Sequence, residues 1–110
     1  MDVNGDKRDF SSVFENLPDG PIKNAVNKVI QSLKKDSLPG EHLKREQIPK
    51  YYIKRHGVQI LYRVALPGRW RLIYTILTIK EKEKPKAFLL ELMDHDQYNK
   101  RFGYFKRKSS

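Results

Sequence analysis

Hydrophobic and polar residues alternate most clearly in two runs at the centre of the chain, residues 58–66 and 70–79. β-Branched and aromatic side chains fill both runs, and such residues favour strands. Between the runs lies Pro67-Gly68, which favours a tight turn because proline fixes φ and glycine accepts a positive φ. The pattern therefore predicts a β-hairpin.

The length of the loop decides which side chains share a face, because a one-residue shift reverses every side chain of a strand. A loop over residues 67–69 pairs Leu66 with Trp70. The apolar face then consists of Val58, Ile60, Tyr62, Val64, Leu66, Trp70, Leu72, Tyr74 and Ile76. The opposite face carries Arg63 and Arg71. We therefore predict a sheet with one core face and one face that carries paired arginines.

Helical spacing precedes the hairpin in two places. A short helix near residues 9–16 is predicted from the spacing of Phe10, Val13, Phe14 and Leu17. A second helix over 22–33 has one apolar stripe, made of Ile22, Ala25, Val26, Val29, Ile30 and Leu33. Pro21 suits its first turn. We expect this stripe to pack on Ile60, Tyr62, Val64, Leu72 and Tyr74.

The remaining elements follow from shorter signals. Residues 48–56 are compatible with a short helix or a strand, and a helix is favoured because Gly57 suits the position after a helix end and Pro49 suits a first turn. Residues 87–93 predict a third strand. Residues 94–104 predict a turn with a short helical segment.

Three polar stretches give no periodic signal. Residues 1–8 and 105–110 are predicted to be flexible tails, and 80–86 a solvated loop of alternating charge. The elements together predict a single α+β domain over residues 1–110. In it, an N-terminal helical hairpin packs on one face of a small antiparallel β-sheet.

Composition adds charge to this picture. The 110 residues include 23 Lys+Arg against 13 Asp+Glu, a net charge of +10, and no cysteine. The absence of cysteine excludes disulfides and thiolate metal sites. A strong positive charge favours a polyanionic partner such as nucleic acid, although a solvated basic surface is the ordinary alternative. No apolar run is long enough for a membrane span, so a cytoplasmic location without membrane contact is expected.

The order of these elements resembles the RelE/ParE toxin superfamily, over roughly residues 10–104. The segment Trp70-Arg-Leu-Ile-Tyr74 is similar to the family's aromatic-Arg-Leu-Val/Ile-Tyr strand. The helix over 22–33 and the segment 94–98, in which a histidine shortly precedes a tyrosine, also resemble family features. The resemblance implies a RelE-like fold. It also implies that the protein is the toxin of a type II toxin–antitoxin system, an mRNA interferase that inhibits translation.

RelE-like toxins cleave mRNA without a metal or other cofactor, in many cases in the ribosomal A site. The ribose 2′-OH attacks the neighbouring phosphate, which requires a base, positive charge at the phosphate and an acid for the leaving oxygen. The resemblance implies that the catalytic residues are Arg71, Arg63, His95 and Tyr98. Arg71 matches the family's arginine after the aromatic residue and is expected to stabilise the phosphate, because a guanidinium binds phosphate bidentately.

His95 suits proton transfer because an imidazole changes charge near neutral pH, and Asp94 or Asp96 is expected to orient it. Candidate RNA-binding residues are Lys54, Arg55, Arg69, Lys100 and Arg101. Each of these side chains also has an ordinary structural alternative. A strand arginine often covers its neighbours, and a lysine near a helix end often faces only solvent.

The resemblance implies three partners: a cognate antitoxin, mRNA and the ribosome. The +10 charge favours an acidic antitoxin. Two alternatives to the nuclease remain, a ParE-like toxin that binds a topoisomerase without catalysis and an inactive RelE-fold protein that binds nucleic acid. Arg63, Arg71 and His95 favour the nuclease. Ala65 counts against it, because ribosome-dependent members tend to carry a second basic residue there.

Overall fold

A computed structural model describes residues 1–78 and 84–103. The elements in chain order are β1 (Asp2–Gly5), a π-helical turn (Lys7–Ser11), α1 (Ser12–Glu15), α2 (Pro21–Lys34), β2 (Glu41–His42), a 3₁₀ turn (Arg45–Gln47), α3 (Lys50–His56), β3 (Tyr62–Ala65), a second 3₁₀ turn (Pro67–Arg69), β4 (Arg71–Leu77), β5 (Lys86–Met93) and α4 (His95–Phe102). The predicted tail 105–110 lies outside the described residues, as does most of the predicted loop 80–86.

The described strands form one sheet in the order β1-β5-β4-β3-β2, with helices on both faces. This confirms the predicted α+β class. The prediction of an antiparallel sheet is wrong in one respect, because β1 pairs with β5 in parallel and only the other pairs are antiparallel. The sheet is therefore mixed.

The first strand also corrects the predicted flexible tail over residues 1–8. Val3 lies opposite Ala87 in the parallel pairing, and just beyond the strand the Asp6 N–H donates to Leu89 O at 2.8 Å. Val3 is the only large apolar side chain of β1, so the sequence gives no alternating pattern. This segment is ordered by backbone hydrogen bonds to a strand that is distant in the sequence. No local pattern of side chains reveals such bonds.

The central hairpin has the predicted register. Val64 lies opposite Leu72, and the Leu66 N–H donates to Trp70 O at 2.9 Å across the turn. Within the turn, Gly68 has φ of 67° and Arg69 has φ of 63°. These left-handed conformations close the odd-numbered loop that the apolar pattern requires.

The first core lies between this hairpin and the N-terminal helices. From α2 the stripe buries Val26, Val29 and Leu33. Seven of the nine predicted apolar-face residues belong to this core or pack against it: Tyr62, Val64, Leu66, Trp70, Leu72, Tyr74 and Ile76. The other two, Val58 and Ile60, do not, because β3 begins only at Tyr62 and the alternation does not extend back through the preceding loop.

The predicted sheet with a single core face is wrong, because α3 and α4 cover the other face. Their Tyr52 and Tyr98 belong to a second core. The remaining members of that core are Leu43, Ile48, Val58, Leu61, Ile73, Leu90 and Met93. Residues 86–93 read as a nearly continuous apolar run, which is typical of a strand covered on both faces. The choice of a helix over residues 48–56 is confirmed, with Gly57 in the left-handed conformation after it.

A buried carboxylate joins β5 to both helices of the second core. Glu91 is only 4% exposed. It accepts a hydrogen bond from the Tyr52 hydroxyl at 2.7 Å, and from Arg101 Nε at 2.9 Å and Nη2 at 3.0 Å. Burial and the neighbouring carboxylate raise the pKa of Tyr52, so its hydroxyl keeps its proton and continues to donate. The network holds α3 and α4 against the sheet.

We expect Glu91→Gln to lower the free energy of unfolding by about 3 kcal/mol, because it leaves the Arg101 charge without its partner at a mostly buried site. Urea denaturation of the wild type and variant measures the difference. Glu46→Gln, at an exposed position of the 3₁₀ turn, is the matched control and should change little. Equal stability of the Glu91→Gln protein would contradict the assigned network.

His56 ends α3 with a ring that is partly buried. Its edge meets Phe88, with ring centroids 5.7 Å apart, and its buried Nε2 has no hydrogen-bond partner in the described residues. Burial lowers the pKa of His56 below its ordinary value of 6.5, and the nearby Asp6 carboxylate opposes that effect. The folded protein therefore holds this ring neutral more strongly than the unfolded chain does.

This shift predicts a pH dependence of stability. As the pH falls, the unfolded chain binds the His56 proton at a higher pH than the folded protein does. The contribution of neutral His56 to the free energy of unfolding is therefore complete above pH 6.5 and is lost as the pH falls below that value. His56→Gln should remove this loss between pH 7 and pH 5. Chemical denaturation at several pH values measures it, and parallel pH profiles for the wild type and His56→Gln would contradict the expectation.

Candidate functional site

An open groove of about 540 Å³ lies where the edge of the sheet meets the beginning of α4. Its lining consists of Gly40, Glu41, Arg63, Ala65, Arg71, His95, Tyr98 and Asn99. All four predicted catalytic residues are in this set, although they come from β3, β4 and α4. The fold thus brings together side chains that are up to 35 positions apart in the sequence.

The hairpin register places the two arginines on the groove side of the sheet. Arg63 lies opposite Ile73, and Ala65 lies opposite Arg71, so both arginines point to the same face. Ala65 also lines the groove. Its methyl group leaves space beside Arg71 that a longer basic side chain would occupy.

Arg63 is held from two sides. Its Nη1 donates to the Tyr98 hydroxyl oxygen at 2.6 Å, and its Nη2 donates to Glu41 Oε1 at 2.6 Å. The guanidinium carbon also lies 5.8 Å from the ring centroid of Phe102. With its side chain only 15% exposed, Arg63 is well placed to fix the hydroxyl of Tyr98 within the groove.

Arg71 has fewer internal contacts. Its Nη1 donates to the carbonyl oxygen of Trp70 at 3.0 Å, and its guanidinium lies 5.0 Å from the ring centroid of Tyr98. No carboxylate forms a salt bridge with Arg71 among the described residues. Its remaining N–H groups are therefore available to an anion in the groove.

His95 begins α4, and one of its ring nitrogens is held by the same helix. Its Nε2 lies 3.1 Å from Nδ2 of Asn99, four residues further along. Its Nδ1 is buried and has no partner in the described residues. The expected contact from Asp94 is absent among the described hydrogen bonds, because that carboxylate accepts from the Gln97 N–H at 2.9 Å and caps the helix. The polar side chain that contacts the His95 ring is therefore Asn99, where the sequence predicted Asp94 or Asp96.

Sequence reasoning missed two polar residues of the groove. Glu41 lies on β2, a strand of only two residues with no periodic pattern, so nothing local marks it. Asn99 could have been found, because helical spacing places it on the same face as His95. The polar lining of the groove thus includes a carboxylate and an amide, whereas the resemblance led us to expect only basic and aromatic side chains there.

Two of the predicted RNA-binding arginines pair with carboxylates elsewhere in the protein. Arg101 bonds to buried Glu91 and lies 3.5 Å from the ring centroid of Tyr51. Arg55 donates to Asp6 at 3.0 Å, near the β1 edge of the sheet. Both guanidinium groups hold parts of the fold together, and neither lines the groove.

The other three predicted RNA-binding residues are Lys54, Arg69 and Lys100. Each is exposed, and none lines the groove. Arg69 lies in the hairpin turn, two residues before Arg71. These three side chains therefore lie on the surface outside the groove, and their role in RNA binding stays a prediction.

Comparisons with protein-family models, curated proteins and solved structures give no match for this chain. In the described part of the chain, no helix is both long enough and apolar enough to cross a membrane.

Proposed function

We propose that this protein is a RelE-like toxin of a type II toxin–antitoxin system that inhibits translation by cleaving mRNA. The observation that carries the proposal is the groove, because Arg63, Arg71, His95 and Tyr98 all line it. Cleavage by 2′-OH attack needs this combination of fixed positive charge and proton-transfer groups. It also requires RNA as substrate, since DNA lacks the attacking hydroxyl.

In the proposed reaction, Arg71 binds the scissile phosphate. Its free N–H groups match the paired oxygens of a phosphate, and its charge offsets the charge that develops as the 2′-oxygen attacks. Contact with the Tyr98 ring fixes the direction of the guanidinium. Arg63 adds positive charge to the same groove and holds the Tyr98 hydroxyl in position.

His95 and Tyr98 are the proposed proton-transfer groups. Nε2 is the nitrogen of His95 that can serve, because Nδ1 is buried. The Asn99 amide next to Nε2 orients the ring. When substrate binds, this amide either moves away from Nε2 or shares Nε2 with the substrate. One of these two groups removes the 2′-OH proton and the other protonates the leaving 5′-oxygen.

The proposal includes partners. A net charge of +10 suits binding to mRNA on the ribosome, and it also suits neutralisation by an acidic antitoxin.

One observation favours a second candidate function, the topoisomerase-binding ParE-like toxin. Ala65 lines the groove at a position where ribosome-dependent relatives tend to carry a basic residue.

Induction of the protein in cells separates the two candidate functions. Arrest of translation with cleaved mRNA supports the nuclease. Loss of DNA supercoiling with intact mRNA supports the topoisomerase-binding toxin and rejects the nuclease.

We expect Arg71→Ala to reduce RNA cleavage by roughly 10²–10³-fold, because loss of a donor to the transition state has an effect of that size. RNA binding should fall much less, because the other cations of the chain remain. The free energy of unfolding should change by about 1 kcal/mol at most. Cleavage of a labelled mRNA on purified ribosomes and thermal unfolding provide the measurements.

Lys28→Ala is the matched control for Arg71→Ala. Lys28 is exposed on α2, on the other side of the sheet, and its replacement removes the same charge. It should keep wild-type cleavage. A folded Arg71→Ala protein that cleaves as fast as the wild type would eliminate the assignment of Arg71.

His95→Gln should lower the cleavage rate by roughly 10²–10⁴-fold, because a glutamine amide cannot take up and release a proton in the reaction. Single-turnover cleavage of a labelled mRNA on purified ribosomes measures the rate of the chemical step. His56→Gln is the control and should cleave at the wild-type rate, since His56 is outside the groove. If folded His95→Gln protein cleaves as fast as the wild type, His95 transfers no proton.

A further inference from the structure

Three aromatic rings form a continuous stack at one end of the sheet. The rings of Tyr74 and Tyr62 are nearly parallel, with an interplanar angle of 6° and centroids 4.9 Å apart. The ring of His42 continues the stack at 4.8 Å and 17°. These are offset-stacking distances. Tyr74 is buried and His42 is exposed, so the stack runs from the core to the surface.

His42 is exposed at the outer edge of the sheet. β2 is the last strand of the sheet, and in the described residues the only ring that contacts His42 is Tyr62 on its inner side. An aromatic ring covered on one face and open on the other is the usual surface on which proteins stack unpaired bases.

The edge strand that carries His42 is fixed in place. The Tyr74 hydroxyl donates to Pro39 O at 2.6 Å, and the Leu43 N–H donates to Leu61 O at 2.9 Å. Gly40 has φ of 90°, and a Cβ there would come within 2.6 Å of Arg63 O, so the backbone lies directly against β3. A ring held in this way loses little freedom when a flat ligand binds.

His42 is the neighbour along β2 of Glu41, which lines the groove. In the pairing of β2 with β3, Glu41 lies opposite Arg63 and His42 lies opposite Tyr62. Consecutive residues of a strand point to opposite faces, so Glu41 faces the groove and His42 faces the other side of the same edge. A single strand of RNA that leaves the groove across β2 therefore meets the His42 ring next.

Cationic side chains follow directly after β2. Lys44 and Arg45 are exposed and form no ion pair with the described residues. They can contact the phosphates on either side of a stacked base. Aromatic stacking beside free cations is the usual chemistry of single-strand binding.

We propose that the exposed face of His42 is a stacking site for an unpaired nucleobase of the RNA substrate, next to the nucleotide held in the groove. The inference rests on the proposed function. Stacking is tolerant of sequence, so this site would contribute affinity and set the position of the cut, and it would select only weakly among bases.

The test uses a short single-stranded RNA in which 2′-O-methyl sugars block cleavage and 2-aminopurine replaces one base at a time. Fluorescence of 2-aminopurine is quenched when its ring stacks. With wild-type protein, we expect additional quenching at one position of the bound RNA. His42→Ala should abolish the quenching at that position and weaken binding by about fivefold or more.

Two further variants separate stacking from charge. His42→Phe has a flat ring and should keep both the quenching and the affinity. His42→Lys has a positive charge but no ring, and it should lose the quenching. Thermal unfolding shows that the variants are folded. If His42→Ala binds RNA with unchanged affinity and quenching, the stacking site is wrong and the proposed nuclease stands. If wild-type protein binds no RNA, either alone or with ribosomes present, both proposals fail.

Discussion

The three-residue turn at 67–69 sets which side chains meet across β3 and β4. With this odd length, Tyr62 and Val64 of β3 and Leu72 and Tyr74 of β4 all belong to the first core or pack against it. Arg63 and Arg71 face the other way. A loop shorter by one residue would place an arginine in the first core, where loss of hydration of its charge would remove a large part of the stability of a small domain. The groove and the first core thus depend on the same turn.

The groove also depends on the second core. Tyr98 belongs to that core through its ring and to the groove through its hydroxyl, which accepts from Arg63. One helical turn further along α4, Arg101 is bound to the buried Glu91. The residues that fix α4 on the sheet therefore also fix the distance between Tyr98 and the two arginines.

Local patterns predicted the features that depend on neighbouring residues. The hairpin register, the α2 stripe and the helix before Gly57 are of this kind, since alternation, helical spacing and a left-handed glycine are visible within a few positions. The register in turn predicted that Arg63 and Arg71 share a face. What the sequence could not reveal depends on distant partners. Strand β1 has one large apolar side chain, and Glu41 of the groove lies on a two-residue strand, so only their pairing with other strands defines them.

The parallel pairing of β1 with β5 has a consequence for the order of assembly. It joins Asp2 to Lys86, so β1 has no partner in the sheet until β5, more than 80 positions later, has been synthesised. α4, which brings His95 and Tyr98, follows β5 and is the last of the described elements. A nascent chain therefore contains both arginines long before it contains the His95 and Tyr98 side chains that complete the lining of the groove.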